Sequence, residues 1–346
     1  MTVGAKHMKS LQIYYTEKNK GVALSLLLIA AIAAAVLSIC MGSVNVSLAE
    51  IYAALTGGAP DKVETHIVLY ARLPRTCGCL LAGASLAVSG AVIQSVLANP
   101  LAAPNIIGVN SGAGMAVVIC AALFPHYSGL YPVFAFVGAL FGVLLVLFIA
   151  EKTGASKTTL VLSGVAVSSV FSAITDGVIT FVPDVLNGYS DFRIGGFSNL
   201  AMSRVIPALW VVIPALIILL LLSNDLDILS LGMETASSLG LSSGKLRVAA
   251  LALSAALAGA AVSFAGLLGF VGLIVPHIIR RILGECSAPL IVGSALGGAA
   301  LLTLCDTLSR LIFAPYELPV GVVLSLIGGP FFIWLLIKQR GGRMHD

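Results

Sequence analysis

Charged residues are the scarcest class in this chain. Lys, Arg, Asp and Glu make up 10% of its 346 residues, against about 25% in soluble proteins. Hydrophobic residues make up 59%, and the mean hydropathy is +1.07. Because a soluble protein of this size needs more surface charge, the composition excludes a soluble enzyme, a DNA-binding domain and a disordered chain. The net charge of +4 is spread over short loops and does not indicate a nucleic-acid partner.

The patterns that accompany catalysis and metal binding are also missing from the sequence. No two of the five histidines lie at metal-ligand spacing, and HExxH does not occur. Of the six cysteines only Cys77 and Cys79 are close, with no second pair to complete a zinc site, so we interpret them as small hydrophobic residues. The segment Gly240–Leu246 resembles a phosphate loop, but its glycines are too close together and Leu246 replaces the magnesium-binding Ser/Thr. We therefore predict no catalytic residue, no bound metal or cofactor and no ATPase site in this chain.

The first apolar run can be interpreted as a secretory signal or as a membrane helix. Lys6, Lys9, Lys18 and Lys20 precede an uncharged stretch from Val22 to Met41, which resembles a secretory signal. The stretch is long enough to span a bilayer, and a signal core is shorter. A lipoprotein cleavage site at Cys40 would need a small residue where Ile39 stands. We predict an uncleaved first membrane helix, preceded by a cytoplasmic N-terminal segment over residues 1–21.

Further apolar runs predict an all-α membrane protein, because helices satisfy their backbone hydrogen bonds within each span. Residues 76–150 carry no charged side chain and are long enough for three spans of about 20 residues, with breaks at 99–104 and 125–127. Residues 248–279 would form a helix of about 48 Å, so Gly266, Gly269, Gly272 and Pro276 are expected to divide it into a full span and a short helix. Four more spans are expected, over residues 158–181, 205–224, 288–305 and 318–337. The total of ten makes residues 1–346 a single transmembrane domain.

Basic residues predict the orientation of these spans. An even number of spans puts both termini on one side, which receives thirteen of the 19 Lys and Arg residues. The positive-inside rule then places both termini in the cytoplasm. The six basic residues on the other side are Lys62, Arg72, Arg75, Arg193, Arg204 and Arg310.

Glycines recur where helices are expected to pack closely. The segment Gly83–Gly90, and Gly293 with Gly297 and Gly298, place small residues at the spacing that lets membrane helices approach one another. Residues 80–108 and 255–284 are also faintly similar, since each has a small-residue helix, a Gly/Pro break and a short helix. Such repeats occur in transporters.

Few ionisable residues fall inside the expected spans. Asp176 lies in the fifth span, where a carboxylate is costly and by default a functional candidate. It could equally face a water-filled vestibule or lie near the outer interface. Asp306 and Arg310 are four residues apart near the end of the ninth span, a spacing that favours an ion pair on one helix face.

The longest cytoplasmic connection is residues 225–247. Within it, Met233–Gly240 has helix-forming residues and ends at glycine, which predicts a short helix. This helix could bind a soluble partner, or the segment could be an interfacial loop without a partner.

Five segments resemble the FecCD family, the permease subunits of bacterial type II ABC importers for iron-siderophores, haem and vitamin B12. They cover nearly the whole chain in the family's order: Arg72–Arg75, Gly90–Ala113, Ser230–Leu241, Gly269–Gly284 and Glu317–Leu336.

The resemblance implies a multi-pass protein of the bacterial cytoplasmic membrane. It implies a permease dimer, with a homodimer expected and a heterodimer open. The partners implied are two cytoplasmic ATP-binding subunits, which use ATP and Mg, and an external substrate-binding protein.

Residue roles are implied by the same resemblance. Arg72, Arg75 and Arg310 match arginines that receive glutamates of the binding protein, and Asn99, Leu101 and Thr158 match a cytoplasmic gate. The ATPase-coupling residues are Gly232, Glu234, Ala236, Leu239 and Gly240. Asp176 departs from the family's apolar character at that position, so it is left as a possible pathway residue.

The sequence gives less support to two other classes of protein. An ion-coupled secondary transporter usually needs paired membrane carboxylates or broken-helix ion sites, and only Asp176 offers itself. A membrane-embedded enzyme should show a polar catalytic cluster, and none is visible. Among cargoes, an iron-siderophore is favoured over haem and vitamin B12.

Overall fold

Helices account for nearly all of the computed structural model, which describes residues 3–42, 46–58, 62–153, 157–312, 314 and 316–342. No described residue belongs to a β-strand. Arg343, which the sequence places among the cytoplasmic basic residues, lies outside the described residues. The described α-helices are α1 Val3–Cys40, α2 Leu48–Thr56, α3 Val63–His66, α4 Leu73–Leu97, α5 Val109–Leu123, α6 Tyr131–Lys152, α7 Lys157–Phe181, α8 Val185–Ile194, α9 Met202–Leu221, α10 Ser223–Ser230, α11 Met233–Ser238, α12 Ser243–Ala265, α13 Val271–Leu283, α14 Ser287–Leu311 and α15 Val320–Gly342.

Among the described residues, seven helical segments are long and apolar enough to cross a membrane. They are Asn19–Cys40, Val63–Leu97, Ser128–Lys152, Thr158–Phe181, Met202–Leu221, Ser243–Ala265 and Ser287–Leu311. Helices α5 and α15 contribute two shorter apolar segments, Val109–Leu123 and Val320–Leu335. The sequence prediction of an all-helical membrane protein is confirmed.

Several boundaries differ from those predicted. Helix α1 begins at Val3, so the expected N-terminal segment and the first span form one helix. The uncharged run over 248–279 divides as predicted, at Gly266 and Phe270, which both have positive φ. Pro276 lies inside α13 and not at the break. Helix α8 and the short helices α2 and α3 were not predicted.

Helix α2 begins with a capping box. The Ser47 hydroxyl accepts a hydrogen bond from the Glu50 backbone N–H, and the Glu50 carboxylate accepts one from the Ser47 backbone N–H at 2.7 Å. The hydrogen bonds that the Glu50 carboxylate accepts from the Ser47 backbone N–H and from the Ser47 hydroxyl hold the pKa of this carboxyl below its usual value. The helix is thereby fixed where the chain leaves α1.

Helix α4 is the centre of the bundle and packs against α12, α13 and α14. Glycines permit this packing. A Cβ atom on Gly83 would collide with the Gly298 carbonyl on α14, and a Cβ on Gly90 would collide with the Gly272 carbonyl on α13. The predicted close helix packing is therefore confirmed at both ends of the Gly83–Gly90 segment.

Replacing Gly90 by Ala should lower the free energy of unfolding by about 1–3 kcal/mol, the usual cost of overpacking. The Gly272 carbonyl belongs to the backbone, so it cannot move away from the added Cβ by a change of rotamer. The matched control is Gly21→Ala in α1, where an added Cβ meets nothing within 4 Å. Thermal melting in detergent should show a lowered midpoint for Gly90→Ala alone, and equal midpoints for the two variants would contradict the packing.

Two faces lie at opposite ends of the bundle. The arginine face is the end at which α1 and α14 terminate, α4 begins, and Arg72, Arg75 and Arg310 lie together. The α11 face is the opposite end. It contains α10 and α11, and there the Ser287 backbone N–H at the start of α14 donates to Asp227 of α10 at 2.7 Å.

Candidate functional site

The three arginines predicted to meet a binding protein lie in one cleft on the arginine face. Arg72 precedes α4 in a π-helical stretch over residues 67–72, Arg75 lies in the first turn of α4, and Arg310 lies in the last turn of α14. The cleft has a volume of about 660 Å³. Its polar walls are formed by Tyr70, Arg72, Arg75, Ser198, Asn199, Arg310 and Glu317.

The three arginine side chains are almost entirely buried and do not project from the surface. Only 4%, 9% and 4% of Arg72, Arg75 and Arg310 are exposed. Arg75 donates to both carboxylate oxygens of the fully buried Asp306 at 2.9–3.1 Å and to Glu317 at 2.6 Å. The predicted Asp306–Arg310 pair is confirmed at 3.4 Å.

Two of the arginines also complete the end of α1. Arg72 donates to the carbonyls of Ile39 and Cys40 at 2.6 and 2.8 Å, and Arg310 donates to those of Ser38 and Met41 at 3.2 and 3.1 Å. The last carbonyls of a helix lack partners within the helix, and cations are favourable near that end. The arginines therefore join α1, α4 and α14, and all three line the cleft.

The predicted coupling segment contains a short helix that is firmly anchored. Helix α11 follows Gly232, which has φ of 117°, and precedes Gly240, which has φ of 85°. Its anchor is Ala236, which is 0% exposed. The Ser237 and Ser243 hydroxyls are 2.8 Å apart, and Arg247 of α12 donates to the Met233 sulfur at 3.3 Å.

The outward surface of α11 is formed by other side chains. Glu234 and Ser238 are exposed, and Leu239 is 63% exposed. A bulky charged residue at Ala236 would therefore disturb the fold, because that side chain faces the protein core. The predicted helix itself, with a glycine beyond its end, is confirmed.

The predicted gate residues lie where α4 ends at the α11 face. Ala98 has φ of 42°, and the Asn99 side-chain oxygen accepts a hydrogen bond from the Leu101 backbone N–H at 3.0 Å. Asn99 thus stabilises the turn before the short 3-10 helix over residues 104–107. Thr158 is exposed in the first turn of α7, and no hydrogen bond in the described part of the chain joins it to Asn99 or Leu101.

Asp176 lies on an exposed side of α7, in a groove that runs along this helix. Burial raises the pKa of the Tyr189 phenol on α8, while Arg193 lowers that pKa and Asp176 raises it. Both charged residues therefore lie within electrostatic reach of Tyr189, near the arginine face.

Residues 27–338 match the FecCD transport family, which is nearly the whole chain. This chain belongs to the FecCD transport family. The chain is 37% identical to the hemin transport system permease protein of Yersinia pestis, over 92% of this chain and 96% of that protein. It is 36% identical to an Fe(3+)-citrate import system permease protein of Bacillus subtilis, over 93% of this chain and 97% of that one. An iron(3+)-hydroxamate import system permease protein of the same organism is 38% identical, over 89% of this chain and 81% of that protein.

A solved structure also resembles this FecCD chain. It represents an inward-facing conformation of a metal-chelate type ABC transporter. The TM-score is 0.81 and the sequence identity 29%, over 91% of this chain and 98% of that chain. The resemblance to the FecCD family found in the sequence is therefore confirmed.

Several polar residues of this FecCD chain could not be found by reading the sequence. Arg280 of α13 donates to the Ala91 carbonyl at 3.1 Å and the Ser95 hydroxyl at 2.9 Å, which fixes α13 to the end of α4. Asn105, Ser168 and Ser172 share the groove with Asp176. The only signal for that groove was the recurrence of small polar residues on the side of α7 that carries Asp176.

Proposed function

We propose that this chain is the membrane-spanning subunit of an ATP-driven importer that carries a ferric chelate across the bacterial cytoplasmic membrane. The observation that carries the proposal is membership of the FecCD family along nearly the whole chain. Relatives named for hemin, Fe(3+)-citrate and iron(3+)-hydroxamate transport all match about nine-tenths of the chain. An iron-siderophore or related chelate is accordingly the proposed cargo.

In the proposed topology, ten helices cross the membrane: α1, α4, α5, α6, α7, α9, α12, α13, α14 and α15. The arginine face is outside, and the α11 face and both termini are cytoplasmic. Two copies form the pathway, with Asn99, Leu101 and Thr158 at its cytoplasmic end. Two ATP-binding subunits receive the α11 surface, and an external binding protein receives the arginine face.

The mechanism follows from this arrangement. Loaded binding protein docks at the arginine face, and closure of the ATPases moves α11. Because Ala236 and the Ser237–Ser243 contact join α11 to the start of α12, a displacement at the ATPase passes into a helix that packs on α4. Rigid-body rotation of the two copies then opens the pathway on alternate sides.

Proteoliposomes containing the chain, its ATPase and its binding protein test this function. Uptake of a radiolabelled ferric chelate should require ATP and should persist when ion gradients are collapsed. Uptake driven by a proton or sodium gradient without ATP would instead support an ion-coupled secondary transporter.

Docking at the arginine face can be tested by reversing charge at Arg72. Arg72→Glu should weaken binding-protein association by about 2–5 kcal/mol, as expected when a charge partner is reversed. Because Arg72 also holds α1, the melting midpoint must be measured alongside. The control is Arg204→Glu, which alters an exposed residue at the start of α9.

A compensating reversal of a glutamate on the binding protein separates docking from folding. Recovery of association by the double variant would support the docking role. Two results together would contradict the docking role and make Arg72 a structural residue. No glutamate reversal would recover association, and salt would leave association of the wild-type chain unchanged.

A further inference from the structure

A polar groove runs along α7 on the side of the helix that carries Asp176. Its volume is about 570 Å³. Five of its eight lining residues are polar: Asn105, Ser168, Ser169, Ser172 and Asp176. From Val165 to Asp176 the groove follows α7 for roughly 16 Å at the rise of an α-helix.

A second groove of this protein has a wholly apolar lining. It lies between α5 and α6, has a volume of about 280 Å³ and is lined only by apolar residues, among them Met115, Ile119, Phe134 and Phe141. A carboxylate inside a span is costly unless it faces water or a polar partner. The contrast indicates that the Asp176 groove faces water.

The Asp176 carboxylate has no internal partner in the described part of the chain. None of the described hydrogen bonds or ion pairs engages it, although the Ser168 hydroxyl in the same groove accepts a bond from Ser111 at 3.0 Å. Arg193 lies beyond the end of α7, on α8, and forms no ion pair with it there.

A second copy of the chain is a poor occupant for this groove. In a two-fold dimer, direct contact of this groove with its counterpart near the two-fold axis would place one Asp176 against the other. Like charges at close range repel. An aqueous pathway lets both carboxylates remain hydrated and leaves them available to whatever passes.

Resting on the proposed function, we infer that the Asp176 groove is a selectivity site for the cargo. It favours ferric chelates that are neutral or cationic and carry hydrogen-bond donors, such as hydroxamate complexes. It disfavours anionic chelates, such as ferric citrate. Asp176 provides the charge, and Asn105, Ser169 and Ser172 provide hydrogen-bond partners along the route.

The charge of the groove can be measured without knowing the cargo. Ser172→Cys places a thiol one helical turn from Asp176, at about 6 Å. The assembled transporter that carries this cysteine is treated with a methanethiosulfonate reagent bearing either a cationic trimethylammonium group or an anionic sulfonate group. Modification of the peptide that contains the cysteine is followed by mass spectrometry. At this distance in water, the negative charge of Asp176 should raise the modification rate of the cationic reagent about threefold and lower that of the anionic reagent about threefold. Asp176→Asn should therefore reduce the cation-to-anion rate ratio by roughly tenfold.

Three results would overturn the groove assignment. Failure of both reagents to react would place the groove in lipid. Ile174→Cys, on another side of α7, is the control for a lipid-facing cysteine. A disulfide between two Ser172→Cys chains would place it in a copy-to-copy contact. A rate ratio unaffected by Asp176→Asn would remove the electrostatic role. If Ser172→Cys does not fold, Ser169→Cys serves the same purpose.

Transport then tests selectivity itself. Uptake of ferrioxamine B, a cationic hydroxamate, and of ferric citrate is compared for wild type, Asp176→Asn and the control Asp184→Asn, each with one binding protein able to load both. We expect Asp176→Asn to lower the cation-to-anion uptake ratio about threefold or more and Asp184→Asn to leave it unchanged. An unchanged ratio in Asp176→Asn overturns the inference and leaves the importer function standing. Absence of ATP-dependent uptake of any ferric chelate by wild type would overturn the proposed function itself.

Discussion

Replacing Asp306 by Asn should lower the free energy of unfolding by about 3–5 kcal/mol, the cost of removing one partner of a buried ion pair. The Asp306 carboxylate is fully buried and serves both Arg75 and Arg310. Asn retains the shape of the side chain but removes the charge, so two buried guanidiniums lose their shared counter-ion. Thermal melting and the yield of folded protein in detergent would report the loss.

Glu317 offers a matched control in the same cluster. It also pairs with Arg75, but its side chain is 34% exposed. Ion pairs in contact with water contribute about 0–1 kcal/mol, so Glu317→Gln should have a small effect. Equal destabilisation by Asp306→Asn and Glu317→Gln would contradict the view that burial gives Asp306 its importance.

Replacing Leu239 by Asp should nearly abolish ATP-coupled uptake while the chain remains folded. Leu239 is 63% exposed beside α11, where the ATPase is proposed to bind. A charge at a buried contact of this kind costs about 2 kcal/mol or more, roughly a 30-fold loss of affinity. Co-purification of the ATPase, its stimulated hydrolysis rate and chelate uptake should fall together.

Two further variants test that explanation. Lys245→Asp alters an exposed residue at the same face, outside α11, and should keep most of the uptake. Ala236→Glu should instead lower stability, because Ala236 is fully buried. A Leu239→Asp variant with normal ATPase binding and uptake would show that this surface is not the coupling contact.

Much of the fold could be predicted because a membrane-spanning helix requires an uninterrupted apolar run, which is visible in the sequence. The breaks at Asn99–Pro104 and at Gly266 are also visible, since Pro and Gly end helices for local reasons. The same holds for α11, where Gly232 and Gly240 bound a short helical segment. Helix α8 escaped prediction because it has only ten residues, and its Asn, Gly, Ser and Asp also favour turns, although Val185, Tyr189 and Phe192 recur at helical spacing.

The side on which each residue lies could not be read from the sequence. Arg310 was expected to pair with Asp306, but Arg72 and Arg310 also donate to backbone carbonyls at the end of α1, which no side-chain pattern reveals. Ala236 looks like part of an exposed helix, but its small size is what lets it pack inward. In both cases the neighbours that decide burial are distant in the chain.

The sidedness of transport tests the central claim most directly. Proteoliposomes are prepared with ATP either in the lumen or outside, and loaded binding protein is supplied on one side only. The account predicts chelate movement only when ATP is at the α11 face and the binding protein is at the arginine face, with movement toward the ATP side. Chelate movement without ATP, or movement with ATP and binding protein on the same side, would contradict it.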